Sequence, residues 1–250
     1  MRNSSLPTLL FYCQHSLGIG HLTRSFALAA ALAQRFRVVF LNGGRLPPGV
    51  RVPAEIERID LPPLGMDDGH TVVSRDAGLD VAAARAERRR LIDAAVGSIR
   101  PDVLLVEQFP VGRKKFAAEI LPMIRAARAQ PRGALVACSL RDILVDVRPD
   151  QQHHDDRARW LTDRYFDAVL VHSDPAFARL HKAAIILGKS GSGFIGNAKL
   201  VPVVLPKPEP FWSSIRRRGG RLFVRQAASR RVTDPDQCAS GADQGWLAKR

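Results

Sequence analysis

Cysteine is scarce in this chain, with three residues in 250, at Cys13, Cys138 and Cys238. So few thiols, so widely scattered, build no disulfide framework, and the fold must rest on a packed core instead. Cys13 and Cys138 stand inside apolar runs, where a thiol serves as a small hydrophobe. Long hydrophobic runs are missing as well. The stretch Leu9 to Cys13 is too short for the apolar part of a signal peptide, and nothing approaches the roughly 18 residues of a membrane span. A reduced, cytoplasmic setting is the expectation, with peripheral contact to a membrane left open. Acidic residues are also short, 24 against 38 basic ones, for a net charge of +14. That deficit is local. From His181 to Arg250 there are 13 Lys and Arg but only 4 Asp and Glu, which leaves the first 180 residues at +5. The basicity therefore belongs to the C-terminal part and says little about the chemistry of the rest.

What is present up to about Leu180 is an alternation of strand and helix. Short apolar runs occur at Thr8–Gln14, Val38–Asn42, Ile56–Asp60, Val103–Glu107, Ala134–Ser139 and Ala168–His172. Runs of this length that end in a polar residue or a glycine loop read as buried parallel strands. Between them lie helical segments at His21–Gln34, Asp76–Ser98, Phe116–Gln130 and Asp155–Tyr165. The first is apolar on most sides and should pack on a sheet. Pro101 is a natural stop for the second. The pattern predicts an open, doubly wound α/β fold with a mostly parallel sheet. Ligands of such sheets bind beyond the carboxyl ends of the strands. Four polar clusters fall there, His15–His21, Glu107–Arg113, Ser139–Asp142 and His172–Pro175.

The segment "GIGHLTRSFALAAALA" carries the sharpest signal. G-x-G between a strand and a helix suggests a dinucleotide fingerprint, in which glycines admit close backbone approach and the helix N-terminus attracts an anion. The full fingerprint needs a third glycine where Thr23 stands, and an acidic residue where the second strand ends in Asn42. A nicotinamide site is set aside on both counts. His21 suits another purpose. A histidine at a helix N-terminus, where the dipole disfavours the imidazolium, is a reasonable general base. Arg24, one turn on, is placed to orient an anionic group. The plainer alternative has His21 as a cap and Arg24 as a surface charge.

The same segment resembles the G-x-G-H-x-x-R start of nucleotide-sugar glycosyltransferases of the GT-B fold. The likeness is to a bacterial group similar to the N-acetylglucosaminyltransferase of lipid-linked peptidoglycan synthesis. Three further stretches resemble that group in the same order: "PDVLLVEQFPVGRKKFAAEILPMI", "SLRDILV" and "FDAVLVHSDPAFARL". The resemblance covers most of residues 7–180 and implies a Rossmann-like N-terminal half that receives the acceptor. A second half would hold the nucleotide-sugar, the co-substrate, with no metal or other cofactor. It implies His21 as base, Glu107 as an alternative base or a hydroxyl ligand, and a Gly18–Gly20 turn that lets substrate approach the backbone. Arg113, Arg141 and Asp142 would meet acidic or polar parts of substrate, and His172 would line the cleft. Glu107 has a competing structural reading, as the ion-pair partner of Arg113 or Arg141.

Other features carry less. "HHDD", His153 to Asp156, suggests a metal cluster, yet four neighbours share no face easily, and it reads as a solvated helix start with Asp155 or Asp156 near the cap. "AAIILGKSGSG" suggests a phosphate loop, but Ala183 occupies the first glycine position. Residues 181–250 break the strand–helix pattern, with Ile185–Leu187 and Leu200–Leu205 as the only strand candidates. They read as a basic tail in place of a second α/β half, through divergence or a shifted reading frame. On that reading the chain lacks its donor half and is inactive alone. An alternative makes the tail a binding module, with Arg216–Arg218, Arg221, Arg225, Arg230 and Arg231 among Trp212 and Phe223 contacting nucleic acid or anionic lipid; solvated disorder is favoured over it.

Overall fold

The computed structural model describes residues 6–15, 19–67, 71–141 and 151–172, and the backbone of four short strands beyond them. For Arg141, Gln151, Val171 and His172 it likewise describes the backbone alone. The first six sheet strands are β1 (Thr8–Cys13), β2 (Arg37–Asn42), β3 (Glu57–Asp60), β6 (Val103–Glu107), β7 (Leu135–Arg141) and β8 (Ala168–His172). A hairpin of β4 (Leu64–Asp67) and β5 (Thr71–Ser74) stands apart from this sheet. The helices are α1 (Gly20–Ala33), α2 (Val81–Ile99), α3 (Ala117–Ala129) and α4 (Gln151–Tyr165). The sheet continues through β10 (Ala198–Pro202), parallel to β8, and β9 (Phe194–Ile195), antiparallel to β10.

The spatial order is β3-β2-β1-β6-β7-β8-β10-β9. The chain moves outward from β1 to β3, then returns to the other side of β1 and moves outward again. Every pairing except β9 with β10 is parallel. This is the Rossmann-like, doubly wound α/β fold that the strand–helix alternation predicts, and its order reverses between β1 and β6. In such a sheet the crevice at that reversal, beyond the carboxyl ends, is where ligands sit.

Two faces of alternating strand residues make two cores. Leu9, Phe11 and Cys13 of β1 share one core with Val103 and Leu105 of β6 and with Leu22, Phe26 and Leu32 of α1. Leu10 and Tyr12 share the other with Val106, with Ile92 and Val96 of α2, and with Ile120 and Ile124 of α3. The period-2 strand pattern thus splits the helices between faces, α1 on one side and α2 with α3 on the other. Helix α2 begins at Asp80, whose carboxylate accepts the Ala83 backbone N–H at 2.7 Å. It ends at Arg100 in the left-handed region, φ 49°, directly before Pro101. A proline keeps its predecessor out of the right-handed helical region, so the expected stop falls where it should.

Some expectations shift. Helix α4 starts at Gln151, so His153 to Asp156 lie inside its first turns, and neither Asp155 nor Asp156 is the cap. Sequence pattern places the start too late because four polar residues in a row hide a helix whose apolar positions come only later, at Ala158 and Leu161. The β4–β5 hairpin escapes the pattern because Gly65 and Asp67 break its alternation. Past residue 180, β10 overlaps one of the two strand candidates there, and β11 (Ile215–Arg218) pairs with β12 (Arg221–Val224), setting Arg216 opposite Phe223. The segment Ile185–Leu187 and the glycine-lysine-serine stretch after it lie outside the described residues. Among the described residues, no helix is long and apolar enough to cross a membrane, and no cluster of His, Cys, Asp and Glu is arranged to hold a metal ion.

Candidate functional site

The reversal point is furnished by two loops and the start of α1. The loop after β1 carries Gln14 and His15 and leads into α1. Gly20 and His21 open that helix. The loop after β6 runs from Glu107 to Arg113. Strand alternation sends Val103, Leu105 and Glu107 to the α1 face, so Glu107 ends its strand facing the start of α1. There its Oε1 lies 2.6 Å from His21 Nδ1. Glu107 is buried, and His21 is about one-fifth exposed.

Arg113 closes the group from the other side. Its Nε is 3.5 Å from Glu107 Oε2, close enough for an ion pair but without hydrogen-bond geometry. The backbone is bent to allow this. Gln108 and Arg113 both sit in the left-handed region, at φ 62° and 57°, although neither is glycine. Non-glycine residues take that conformation at a cost and concentrate where a site demands it. Phe109, fully buried between them, pins the loop to the core. Glu107 therefore pairs with Arg113, as its structural reading expects, and also holds His21.

A second set of contacts fixes the loop after β1. His15 is buried, and its Nε2 lies 2.9 Å from Asn42 Oδ1. Asn42 donates its amide to the Gly44 carbonyl and to Asp60, which orients its oxygen toward His15 and makes His15 Nε2 the donor. Asn42 is thus fully engaged where a dinucleotide fold would place its ribose ligand, which supports setting that reading aside. Burial pushes the His15 pKa below its ordinary 6.5, the Asn42 bond works against this, and Arg113 adds to the lowering. The fold therefore favours neutral His15. Its contribution to stability is complete above about pH 6.5 and is lost as pH falls from there toward the lowered folded-state value. Urea unfolding at pH 5 and pH 7.5 should show a drop in midpoint at the lower pH, and His15→Gln should flatten it.

The glycines divide. A Cβ on Gly44 would come within 2.3 Å of the His15 carbonyl oxygen, and one on Gly43 within 2.3 Å of Gln14 Oε1. A methyl added at Gly20, by contrast, would have nothing within 4 Å. No described neighbour requires Gly20, which is itself exposed at the start of α1. Gly44→Ala should cost about 1–3 kcal/mol through the backbone clash, while Gly20→Ala should leave stability unchanged or raise it by up to about 1 kcal/mol. Thermal melts of the two variants compare them directly.

The remaining expected residues are placed less fully. Arg24 is half-buried, one turn along α1 from His21. Arg141 and His172 stand opposite each other in register at the carboxyl ends of β7 and β8, the same rim as Glu107. Gly18 and Asp142 lie outside the described residues. Cys13 and Cys138 are buried, and burial, with Glu107 second, pushes both thiols up, so they are inert hydrophobes as expected.

Sequence reasoning missed the support beneath this rim. Arg88 of α2 is fully buried and uses all five N–H groups. Nε and Nη2 bind the Glu119 carboxylate at 2.9 and 2.6 Å, and Nη2 also reaches Gln14 Oε1 at 2.7 Å. Nη1 donates to the carbonyls of Gly43 and Pro62 at 2.8 and 2.9 Å. Tyr12 donates its hydroxyl to Glu119. The one available signal was the Asn-Gly-Gly run after β2, where adjacent glycines imply close approach.

Neither a protein-family model nor a curated protein sequence matches the chain. Among solved structures it is similar to a UDP-glucosyltransferase from Polygonum tinctorium capable of glucosylating indoxyl, with TM-score 0.47 and 17% identity, covering 81% of this chain and 53% of that one. It is similar to Phytolacca americana UGT2, with TM-score 0.47 and 12% identity, covering 81% and 54%. It is also similar to Bacillus subtilis pyridoxal kinase, with TM-score 0.40 and 11% identity, covering 81% and 68%. The chain spans about half the length of the two glucosyltransferases. Likeness of this degree decides neither substrate nor reaction, so the chemistry of the rim is read from its own residues.

Proposed function

We propose that this chain is the acceptor-side part of a glycosyltransferase that moves a sugar from a nucleotide-sugar donor to a hydroxyl. The observation that carries the reading is the 2.6 Å contact between His21 Nδ1 and Glu107 Oε1 at the reversal point of the sheet. A carboxylate that accepts the Nδ1 proton leaves Nε2 of the neutral ring with its lone pair, ready to take a proton. Glu107, held by Arg113 on its other side, fixes ring orientation and tautomer. The four-segment likeness to GT-B glycosyltransferases supplies the reaction class.

In this reading the acceptor hydroxyl gives its proton to His21 Nε2 as its oxygen attacks the anomeric carbon. The bond from that carbon to the diphosphate breaks, and the electron pair leaves with the nucleotide diphosphate. The exposed start of α1 at Gly20 would admit the acceptor, and Arg24, Arg141, Asp142 and His172 are its further candidate contacts. The nucleotide-sugar would be bound by a second α/β lobe. Calorimetry should therefore find weak nucleotide-sugar binding by this chain. A longer relative that carries the same four segments should release nucleotide diphosphate only when acceptor is present. Release at the same rate without acceptor would overturn the reading.

A further inference from the structure

Four arginines in this fold can be compared by the edge that carries Nε and Nη2, the side-on fork that fits two oxygens of one anion. In Arg88 that edge is filled by both oxygens of Glu119. In Arg37 it is filled by Glu57 at 2.7 and 2.8 Å, and in Arg90 by Glu87 at 2.8 and 2.6 Å. In Arg113 the same two nitrogens are buried and make no hydrogen bond. The reason lies in Glu107. Its Oε1 is drawn to His21, which turns the carboxylate away from a fork-to-fork alignment and leaves Oε2 in an ion pair with Nε at 3.5 Å but without a hydrogen bond.

Buried donors are almost always satisfied, and an unsatisfied guanidinium edge beside a strained backbone is a costly arrangement to keep. We propose that the Nε–Nη2 edge of Arg113 is the binding position for a two-oxygen anion, a phosphate or carboxylate group, carried by the acceptor substrate. The assignment of that anion to the acceptor rests on the glycosyltransferase reading; the anion position itself does not. Arg113 gives up no hydrogen bond from that edge when it turns to the anion, and Glu107 keeps His21. The acceptor would then be an acidic molecule, held by its anion at Arg113 while its hydroxyl meets His21.

The test is side-chain NMR of the full chain, following the arginine Nε–H resonances during titration with inorganic phosphate and, separately, with acetate. Saturable movement of the Arg113 resonance by either anion is expected, and the tighter of the two identifies the group. Arg113→Lys keeps the charge but loses the fork, and should weaken binding tenfold or more; Arg113→Gln should abolish it. His21→Ala frees Glu107 Oε1 to align with that edge and should weaken anion binding. An Arg113 resonance that does not move, or equal affinity in Arg113→Lys and Arg113→Gln, overturns the proposal. Failure of sugar transfer in a longer relative would leave this anion position standing, and loss of anion binding would leave the His21–Glu107 pair standing.

Discussion

Replacing Arg88 with methionine is expected to destabilise the fold by about 3–5 kcal/mol, the range for removing one partner of a buried ion pair. For a chain of this size that corresponds to a fall in melting temperature of roughly 6–20 °C. The size of the effect follows from what is left behind. Glu119 would remain buried with Tyr12 as its donor and no cation. Gln14 Oε1 and the carbonyls of Gly43 and Pro62 would each lose a donor in the same step. Burial opposes the charge on Arg88, but the bonds to Glu119 outweigh it and hold the guanidinium pKa up, so deprotonation offers no escape. A double variant, Arg88→Met with Glu119→Leu, removes both charges and should recover part of the loss. Urea unfolding of the three proteins measures this. A single variant that loses less than about 1 kcal/mol would show that the network does not carry the weight its geometry implies.

The effect should also reach the functional rim. Arg88 fixes Gln14, Gln14 donates to the His15 and Leu64 carbonyls, and His15 is tied through Asn42 to the ends of β2 and β3. The loop that leads into His21 is therefore braced from the core of the opposite face.

The parts of this arrangement that were legible in the sequence are those written in local pattern. Strands such as Val103–Glu107 announce themselves by a run of apolar residues ending in a charge, and α1 by its repeated apolar face. The pairing of His21 with Glu107 was not legible as a contact, because 86 residues separate them and only the strand order joins them. Arg88 was hidden for a different reason. It sits in "AERRR", where Arg89 and Arg90 make ordinary surface pairs with Asp93 and Glu87, and helical periodicity alone does not tell which of three arginines turns inward. Position 88 lies four residues from Ala84 and four from Ile92, both buried, so the apolar stripe passes through a charged residue. A pattern reader sees the stripe broken there; the fold fills the gap with a guanidinium whose partners come from four separate segments. The left-handed Arg113 was equally silent, since nothing in "FPVGRKK" separates it from its glycine neighbour as the residue that takes positive φ.

The largest functional effect should come from the pair at the reversal point. In a longer relative with the same G-x-G-H-x-x-R segment, loss of the base in the counterpart of His21→Ala should lower kcat about 10²–10⁴-fold. KM should change little, because the proton transfer matters in the transition state more than in substrate binding. The counterpart of Glu107→Gln should lower kcat about 10²-fold or more by a different route. A glutamine amide can present its NH₂ to Nδ1, which moves the ring proton to Nε2 and leaves the base facing the acceptor with no lone pair. If the two residues act as one unit, the double variant should be no slower than the slower single one. In this chain, His21→Ala leaves Glu107 with Arg113 as a counter-ion, so the fold should survive it, and a melt confirms that the kinetic loss is not an unfolding effect. A His21 counterpart whose removal leaves more than a tenth of the original kcat would exclude it as the base, and additive losses in the double variant would separate Glu107 from the histidine it touches.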